Sequence, residues 1–163
     1  MGLVLITVKF GKEEAAGIEV LDCILPFDLN AHLIGTGFGG VLLLETSLES
    51  DKAAIVLMKC PTSLVQTLIP VDKVVKAEMS EIKEAVLPLV GRNPQIFAVK
   101  CVRRGKAIPS SKEVEVSIGS ALTQQGHVVA LNNPELIVRI DIIGERATIS
   151  VKPPGLHLKK ARC

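Results

Sequence analysis

The first half of the chain alternates between short apolar runs and segments with a helical stripe of apolar residues. The run at 3–8 is rich in branched residues and predicts a strand. Residues 12–25 carry an amphipathic stripe that ends at Pro26, which predicts a helix. The other elements predicted here are strands at 31–34 and 41–45, a helix from 49 or 50 to 59, and extended segments at 65–69 and 73–76. This order of strands and helices predicts a ferredoxin-like arrangement, with two helices on one face of an antiparallel sheet.

The second half predicts a mixed helix and strand domain that ends in a hairpin. The expected order is a helix at 80–89, a strand at 97–102, a helix at 111–124 and a strand at 128–131. Ser110 and Glu113 have the spacing of a capping box, which sets the start of the second helix. Strands at 136–143 and 146–152 flank Gly144-Glu145, as in a two-residue hairpin turn. Alternation predicts an inner face of Val138 with Val151, Ile140 with Ile149 and Ile142 with Ala147, and an outer face of Ile137 with Lys152, Arg139 with Ser150 and Asp141 with Thr148.

Charge is distributed unevenly along the 163 residues. Residues 1–91 contain seven Lys or Arg and twelve Asp or Glu, a net charge of −5. Residues 92–163 contain twelve Lys or Arg and five Asp or Glu, a net charge of +7. An excess of this size in the second half favours a polyanionic partner over ordinary surface variation.

Cysteine spacing and hydropathy exclude several classes of protein. Cys23, Cys60, Cys101 and Cys163 form no Cys-x-x-Cys pair, so we expect reduced thiols, three of them buried, and neither a metal site nor a cofactor. No apolar run approaches the roughly 20 residues that cross a bilayer. The start of the chain has the pattern of a first strand and not of a signal peptide, which predicts a cytoplasmic protein with no membrane partner.

Two features could indicate catalysis, and the residues around them favour other interpretations. Gly35–Gly40 matches the Gly-x-Gly-x-x-Gly pattern of a dinucleotide site, which requires a helix directly after it. A strand-like run follows instead, so a hairpin turn is favoured, and a nucleotide-binding enzyme remains an alternative. The histidines, His32, His127 and His157, have no cysteine, serine or carboxylate at an informative spacing. We therefore expect no catalytic residues.

A cluster of cations lies where the strand at 97–102 leads into the capped helix. Lys100 and Arg104 have the same parity on the strand, Arg103 and Lys106 are assigned to the loop, and Lys112 lies in the first helical turn. Cations beside a helix N-terminus suit phosphate groups. The chain has four Phe and neither Trp nor Tyr, so base stacking has few partners. The pattern predicts contact with the phosphates and shape of a nucleic acid.

The stretch 82–151 resembles the THUMP domain of tRNA-modifying enzymes. The resemblance rests on an ordered set of motifs: Phe-Ala-Val-Lys-Cys-Val-Arg-Arg at 97–104, Ser-Ser-Lys-Glu-Val-Glu-Val-Ser-Ile-Gly-Ser-Ala-Leu at 110–122, Val-Ala-Leu-Asn-Asn-Pro-Glu at 129–135 and Leu-Ile-Val-Arg-Ile-Asp-Ile at 136–142. Residues 1–78 are similar to the ferredoxin-like domain that usually precedes THUMP. The resemblance implies an α+β protein with an N-terminal ferredoxin-like antiparallel sheet at 1–78, a THUMP-like α/β RNA-binding domain at 79–155 and a basic tail at 156–163.

In that family the paired domains dock on tRNA, and a separate catalytic domain modifies it. The chain shows no catalytic domain and is similar to stand-alone THUMP proteins, such as the adaptor that presents tRNA to a cytidine acetyltransferase. The resemblance implies a non-catalytic protein that binds tRNA or another structured RNA and assists a modification enzyme. A protein–protein interaction module is an alternative. The RNA-contacting positions that the THUMP resemblance implies are Lys100, Arg103, Arg104, Lys106, Lys112, Arg139 and Arg146.

Overall fold

A computed structural model of the chain describes residues 1–156 and 158–159. The chain divides into two compact units. The first comprises Met1–Val71 together with a short strand near the C-terminus, and the second comprises Asp72–Gly155. Within the described residues no helix is long and apolar enough to cross a bilayer.

The first unit has the predicted ferredoxin-like arrangement. Its sheet is antiparallel, and its strands lie in the order Leu158–Lys159, Val65–Val71, Gly2–Val8, Val41–Thr46 and His32–Ile34. Side chains from both helices share one apolar core with the sheet, including Val20 from the first helix, Leu57 from the second and Ile6 from the central strand. The elements are β1 Gly2–Val8, α1 Glu13–Ile24, β2 His32–Ile34, β3 Val41–Thr46, α2 Ser50–Lys59, β4 Val65–Val71 and β10 Leu158–Lys159. Part of the predicted basic tail therefore forms a strand, while residues 157 and 160–163 lie outside the described residues.

The two helices of the first unit are joined by a disulfide between Cys23 and Cys60. Cys23 lies in the last turn of α1 and Cys60 directly follows α2, and their Cα atoms are 6.0 Å apart. The prediction of reduced thiols is wrong for this pair. The two cysteines are 37 positions apart, so only the side-by-side packing of α1 and α2 brings them together. Cys101 is a buried free thiol, as predicted, and Cys163 lies outside the described residues.

The second unit is a mixed sheet covered on one face by two helices. The elements are β5 Lys73–Lys76, α3 Met79–Val90, β6 Ile96–Arg104, α4 Ser111–Gln124, β7 Val128–Val129, β8 Leu136–Ile143 and β9 Arg146–Lys152, followed by a 3₁₀ turn at Pro154–Leu156. The strand order is β5-β9-β8-β6-β7, with β6 parallel to β7 and β8 and the other pairs antiparallel. Together the two units confirm the α+β fold class.

Alternation along the strands decides which side chains meet the helices. Phe97 and Cys101 of β6 point into the core with Ile140 of β8, where they pack with Ile118 of α4 and Ile82 of α3. The observed register of the β8–β9 hairpin is the predicted one at every pair. Side chains of opposite parity, including several cations, therefore lie on the outer face of the sheet.

β5 belongs to the second sheet, although the sequence-based division at residue 78 assigned it to the first domain. Asp72 fixes this edge through its backbone and its side chain. Its amide N–H donates to the carbonyl of Ile149 at 2.8 Å, and its carboxylate accepts from the amide of Val151 and the ammonium group of Lys152, each at 2.7 Å. The segment that precedes α3 is thus tied to the last strand of the unit.

Candidate nucleic-acid interface

The strand registers bring three cations together at one end of the outer face of the second sheet. Arg104 is the last residue of β6 and lies beside Ile143 of β8. Ile143 pairs with Arg146 of β9, and Arg146 pairs with Lys76 of β5. Paired residues of adjacent strands point to the same face, so Arg104, Arg146 and Lys76 form one row.

The loop from β6 to α4 adds cations to the same end of the sheet. Lys106 in this loop and Lys112 in the first turn of α4 are both exposed. The hydroxyl of Ser110 accepts the amide N–H of Glu113 at 3.4 Å, which confirms the predicted N-cap. Because α4 begins there, the positive end of its dipole is directed toward the same region.

Arg103 lies in β6 and not in the loop, because the strand extends two residues further than predicted. Its parity is opposite to that of Arg104, and its Nη1 donates to the carbonyl of Ile108 at 3.1 Å. The Ile108 side chain is buried in the core. Arg103 therefore helps to hold the cationic loop in place, in addition to contributing charge.

We call the cluster at this end the basic edge. Glu78, Glu81, Glu113 and Glu145 also lie at this end, and Asp141 binds Arg104, so the cluster contains carboxylates as well as cations. The members of the basic edge are Lys76, Arg103, Arg104, Lys106, Lys112 and Arg146.

Two of the predicted RNA-contacting arginines are bound to one buried carboxylate. Asp141 is 1% exposed, and its Oδ1 accepts from Nη1 of Arg104 at 3.0 Å. Arg139 donates to the same carboxylate through Nε at 2.9 Å and Nη2 at 3.0 Å. The side chains of Arg104 and Arg139 are only 17% and 13% exposed. These arginines are more strongly constrained than the exposed lysines of the basic edge.

Lys100 and Arg139 are neighbours in register, four residues back along the strand from the basic edge. The structure therefore places five of the seven predicted cations at the basic edge and these two deeper on the outer face. Lys76 was not among the predicted contacts. Its only sequence signal was the extended pattern at 73–76, which does not show that β5 pairs with β9.

The glycine-rich loop has a structural role in the first unit. β3 follows Gly40 directly, so the helix that a pyrophosphate site needs is not present and the alternative of a nucleotide-binding enzyme using this loop is wrong. Oε1 of Glu13 accepts the amide of Gly40 at 2.7 Å and that of Gly11 at 3.1 Å. These hydrogen bonds, led by the one from Gly40, lower the pKa of the Glu13 carboxyl. The loop is thereby fastened to the start of α1.

The described histidines also have structural partners. His127 is buried, its Nδ1 accepts the amide N–H of Gln95 at 3.0 Å, and its Nε2 lies 3.1 Å from the carbonyl of Gly91. The exposed His32 lies 3.6 Å from Glu45 on the neighbouring strand, a carboxylate that spacing along the chain did not reveal. His157 lies outside the described residues.

A family model described as "THUMP domain" matches residues 76–152, which run from the end of β5 to the end of β9. Residues 76–152 are a THUMP domain. The basic edge lies within this domain. A curated tRNA sulfurtransferase from Azotobacter vinelandii is 31% identical over 125 residues, a span of 73% of this chain and 26% of that protein. The chain thus spans about a quarter of the curated relative.

Solved structures share the fold across nearly the whole chain. PH1313 from Pyrococcus horikoshii superposes with a TM-score of 0.77 and 19% identity, covering 98% of this chain and 56% of that one. TrmN from Thermus thermophilus superposes with a TM-score of 0.64 and 22% identity, covering 93% of this chain and 45% of that one. A 4-thiouridine synthetase solved as an RNA complex with bound ATP superposes with a TM-score of 0.63 and 15% identity, covering 93% of this chain and 41% of that one. At these identities the likeness establishes the fold alone.

Proposed function

We propose that this protein binds tRNA through the basic edge of its THUMP domain and presents the tRNA to a modification enzyme. The observation that supports this most directly is the coincidence of the THUMP domain with a cluster of six cations at one end of its sheet. Exposed lysines and arginines neutralise phosphates at low energetic cost, and the neighbouring helix start adds a favourable dipole.

The names of the relatives support the choice of tRNA among polyanions. The curated relative is a tRNA sulfurtransferase, and one structural relative is a 4-thiouridine synthetase in complex with RNA. Both proteins extend well beyond the region shared with this chain. Since the match to the synthetase covers 93% of this chain, and so most of the THUMP domain, recognition of tRNA is the part of their activity that we propose for this chain.

We further propose that the chain itself is not an enzyme and acts as an adaptor, with a cytidine acetyltransferase as the partner. In the described residues the histidines are occupied by backbone or carboxylate partners, and the glycine loop is a hairpin connection. An adaptor contributes binding and orientation of the RNA, and the cations of the basic edge support a role in that binding.

Filter binding of tRNA at several salt concentrations tests the RNA-binding proposal. If about four phosphates are contacted, the logarithm of the affinity should fall with the logarithm of salt concentration with a slope of about −3. The Lys106→Glu/Lys112→Glu variant should bind more weakly, and its slope should be smaller in magnitude by about two. A matched control is Arg92→Glu/Lys52→Glu, which makes the same change in net charge at exposed positions outside the basic edge. Equal losses in both variants would reject the basic edge as the binding surface.

Nucleoside mass spectrometry tests the adaptor proposal. tRNA from cells that lack the gene should lose acetylcytidine, and the wild-type gene should restore it. The Lys106→Glu/Lys112→Glu variant should restore it poorly, while the control variant restores it fully. Loss of a different modified nucleoside would reject the acetyltransferase as partner, and an unchanged nucleoside profile would reject the adaptor role itself. Incubation of the purified protein with tRNA and acetyl donor should yield no modified nucleoside.

A further inference from the structure

Phe10 is exposed to solvent in the short loop between β1 and α1. Its relative exposure is 81%, whereas Phe97 in the second unit is fully buried. Burying a phenylalanine side chain is worth about 2 kcal/mol. An exposed ring in a fixed position can therefore contribute this free energy when a ligand covers it. Phe10 is not part of the basic edge.

The Phe10 ring rests on the backbone of Gly39 in the glycine-rich loop. A Cβ atom on Gly39 would overlap Cε2 of the ring and would lie 2.9 Å from Cδ2 and 3.1 Å from Cζ. Glycine at this position thus allows the ring to lie against the hairpin backbone while most of its surface stays open. The glycine-rich loop therefore also supports an aromatic side chain, in addition to connecting two strands.

The backbone on both sides of Phe10 is held by hydrogen bonds. The amide N–H of Lys9 donates to the carbonyl of Leu64, and that of Lys12 donates to the carbonyl of Lys9, each at 3.0 Å. Glu13 accepts from the amides of Gly11 and Gly40, which joins this loop to the hairpin that carries Gly39. The ring is therefore presented by a loop whose conformation is already fixed, which lowers the entropic cost of binding.

Charge around the ring indicates the chemistry of the ligand. Lys9 and Lys12 precede and follow Phe10 in the chain and are exposed, as is Glu14, while the Glu13 carboxylate accepts the backbone amides of Gly11 and Gly40. An open aromatic surface flanked by cations matches a flat base joined to phosphates, the combination used by proteins that bind single strands. We propose that Phe10 stacks on an unpaired base of a single-stranded RNA segment while Lys9 and Lys12 contact the adjacent phosphates. This inference extends the proposed RNA-binding function to a second site.

Fluorescence anisotropy with a labelled ten-nucleotide oligoadenylate tests the stacking site. Phe10→Ala and Phe10→Leu should each weaken binding about tenfold, in the range found for loss of one stacked base. Phe27→Ala is the matched control, because Phe27 is also exposed in the first unit, at 62%, but is flanked by Pro26 and Asp28. It should bind as the wild type does. Gly39→Ala should also weaken binding, since the added Cβ displaces the ring.

A strand of the same length whose bases are replaced by abasic sites separates stacking from charge. The wild type should bind this strand more weakly than oligoadenylate, and Phe10→Ala should bind it as the wild type does. Wild-type affinity in Phe10→Leu would overturn the proposal, because it would show a general apolar contact. Loss of binding to anionic phospholipid vesicles in Phe10→Ala, with RNA affinity unchanged, would overturn it in favour of a membrane contact.

The same measurements distinguish this inference from the proposed function of the basic edge. If Lys106→Glu/Lys112→Glu weakens tRNA binding and the Phe10 variants bind oligoadenylate as the wild type does, the stacking site fails and the basic edge stands. If the Phe10 variants lose oligoadenylate and the lysine variant binds tRNA normally, the basic edge fails and the stacking site stands. If the wild type binds neither RNA, both are rejected.

Discussion

The Nη1 atom of Arg104 lies 3.0 Å from Oδ1 of Asp141, a carboxylate that is almost completely buried. The same carboxylate accepts two hydrogen bonds from Arg139, so one acid orients two arginines on the outer face of the THUMP sheet. Removing one member of a buried ion pair leaves the other member without its partner, which costs far more than loss of a surface pair. Asp141 therefore links the stability of the domain to the position of its arginines.

We expect Asp141→Asn to lower the free energy of unfolding by about 3 kcal/mol, because two poorly exposed guanidinium groups lose their counterion. Urea denaturation followed by circular dichroism measures this change. Glu145→Gln is the control, since Glu145 is exposed in the turn of the same hairpin and should change stability by less than about 0.5 kcal/mol. Equal stability of the two variants would contradict the role assigned to Asp141.

We expect reduction of the Cys23–Cys60 disulfide to destabilise the first unit. A cross-link between residues 37 positions apart restricts the unfolded chain by about 4 kcal/mol in the chain-entropy treatment. Urea denaturation with and without reductant should show this shift. The Cys23→Ser/Cys60→Ser variant should unfold like the reduced protein and show no response to reductant. If alkylation in denaturant without reductant modifies Cys23 and Cys60, the disulfide assignment is refuted.

Asp28 should make the first unit sensitive to acid. Hydrogen bonds from the Thr46 hydroxyl and the Ser47 amide, the two largest causes, lower the pKa of this carboxyl from 3.8 to about 2. Because the folded state favours the anion, the stabilisation is complete above the unfolded pKa and is lost as pH falls from about 4 to 2. Thermal unfolding from pH 6 to pH 2 should show the wild type converging on Asp28→Asn. A constant difference between the two across this range would contradict the prediction.

The Cys101 thiol should be unreactive in the folded protein. Burial, followed by the charges of Asp141 and Glu115, raises its pKa from 9.0 to about 12, so the reactive thiolate is scarce at pH 8. Mass spectrometry after iodoacetamide treatment at pH 8 should find Cys101 unmodified in the native protein. In urea the thiol regains its ordinary pKa and should be labelled completely. Rapid labelling without denaturant would show that the core around β6 opens readily.

Local pattern was sufficient for much of the fold. The β8–β9 register followed from alternation on both strands together with Gly144 in the turn, where φ is 62°. The start of α4 followed from the capping box at Ser110. In each case the residues that determine the structure lie within a few positions of one another, so a single stretch of sequence contains the relevant information.

Contacts between distant segments were not accessible in the same way. Arg104 and Asp141 meet because β6 and β8 are parallel neighbours, a pairing that no short stretch of sequence specifies. Cys23 and Cys60 depend on the packing of α1 against α2. Four predicted cations of the basic edge, between Arg103 and Lys112, lie in one continuous stretch of sequence, so their proximity could be predicted. Lys76 joins them only through the pairing of β5 with β9.

The attachment of β5 to β9 sets a minimum length for any fragment that retains the second sheet. Asp72 and β5 form hydrogen bonds with the edge of β9 opposite to β8. The span that matches the THUMP family begins only at residue 76. A fragment that starts there would leave the backbone N–H and C=O groups on that side of β9 unpaired. Open strand edges recruit other chains and promote aggregation. A soluble fragment that retains the second sheet should therefore begin at or before Asp72.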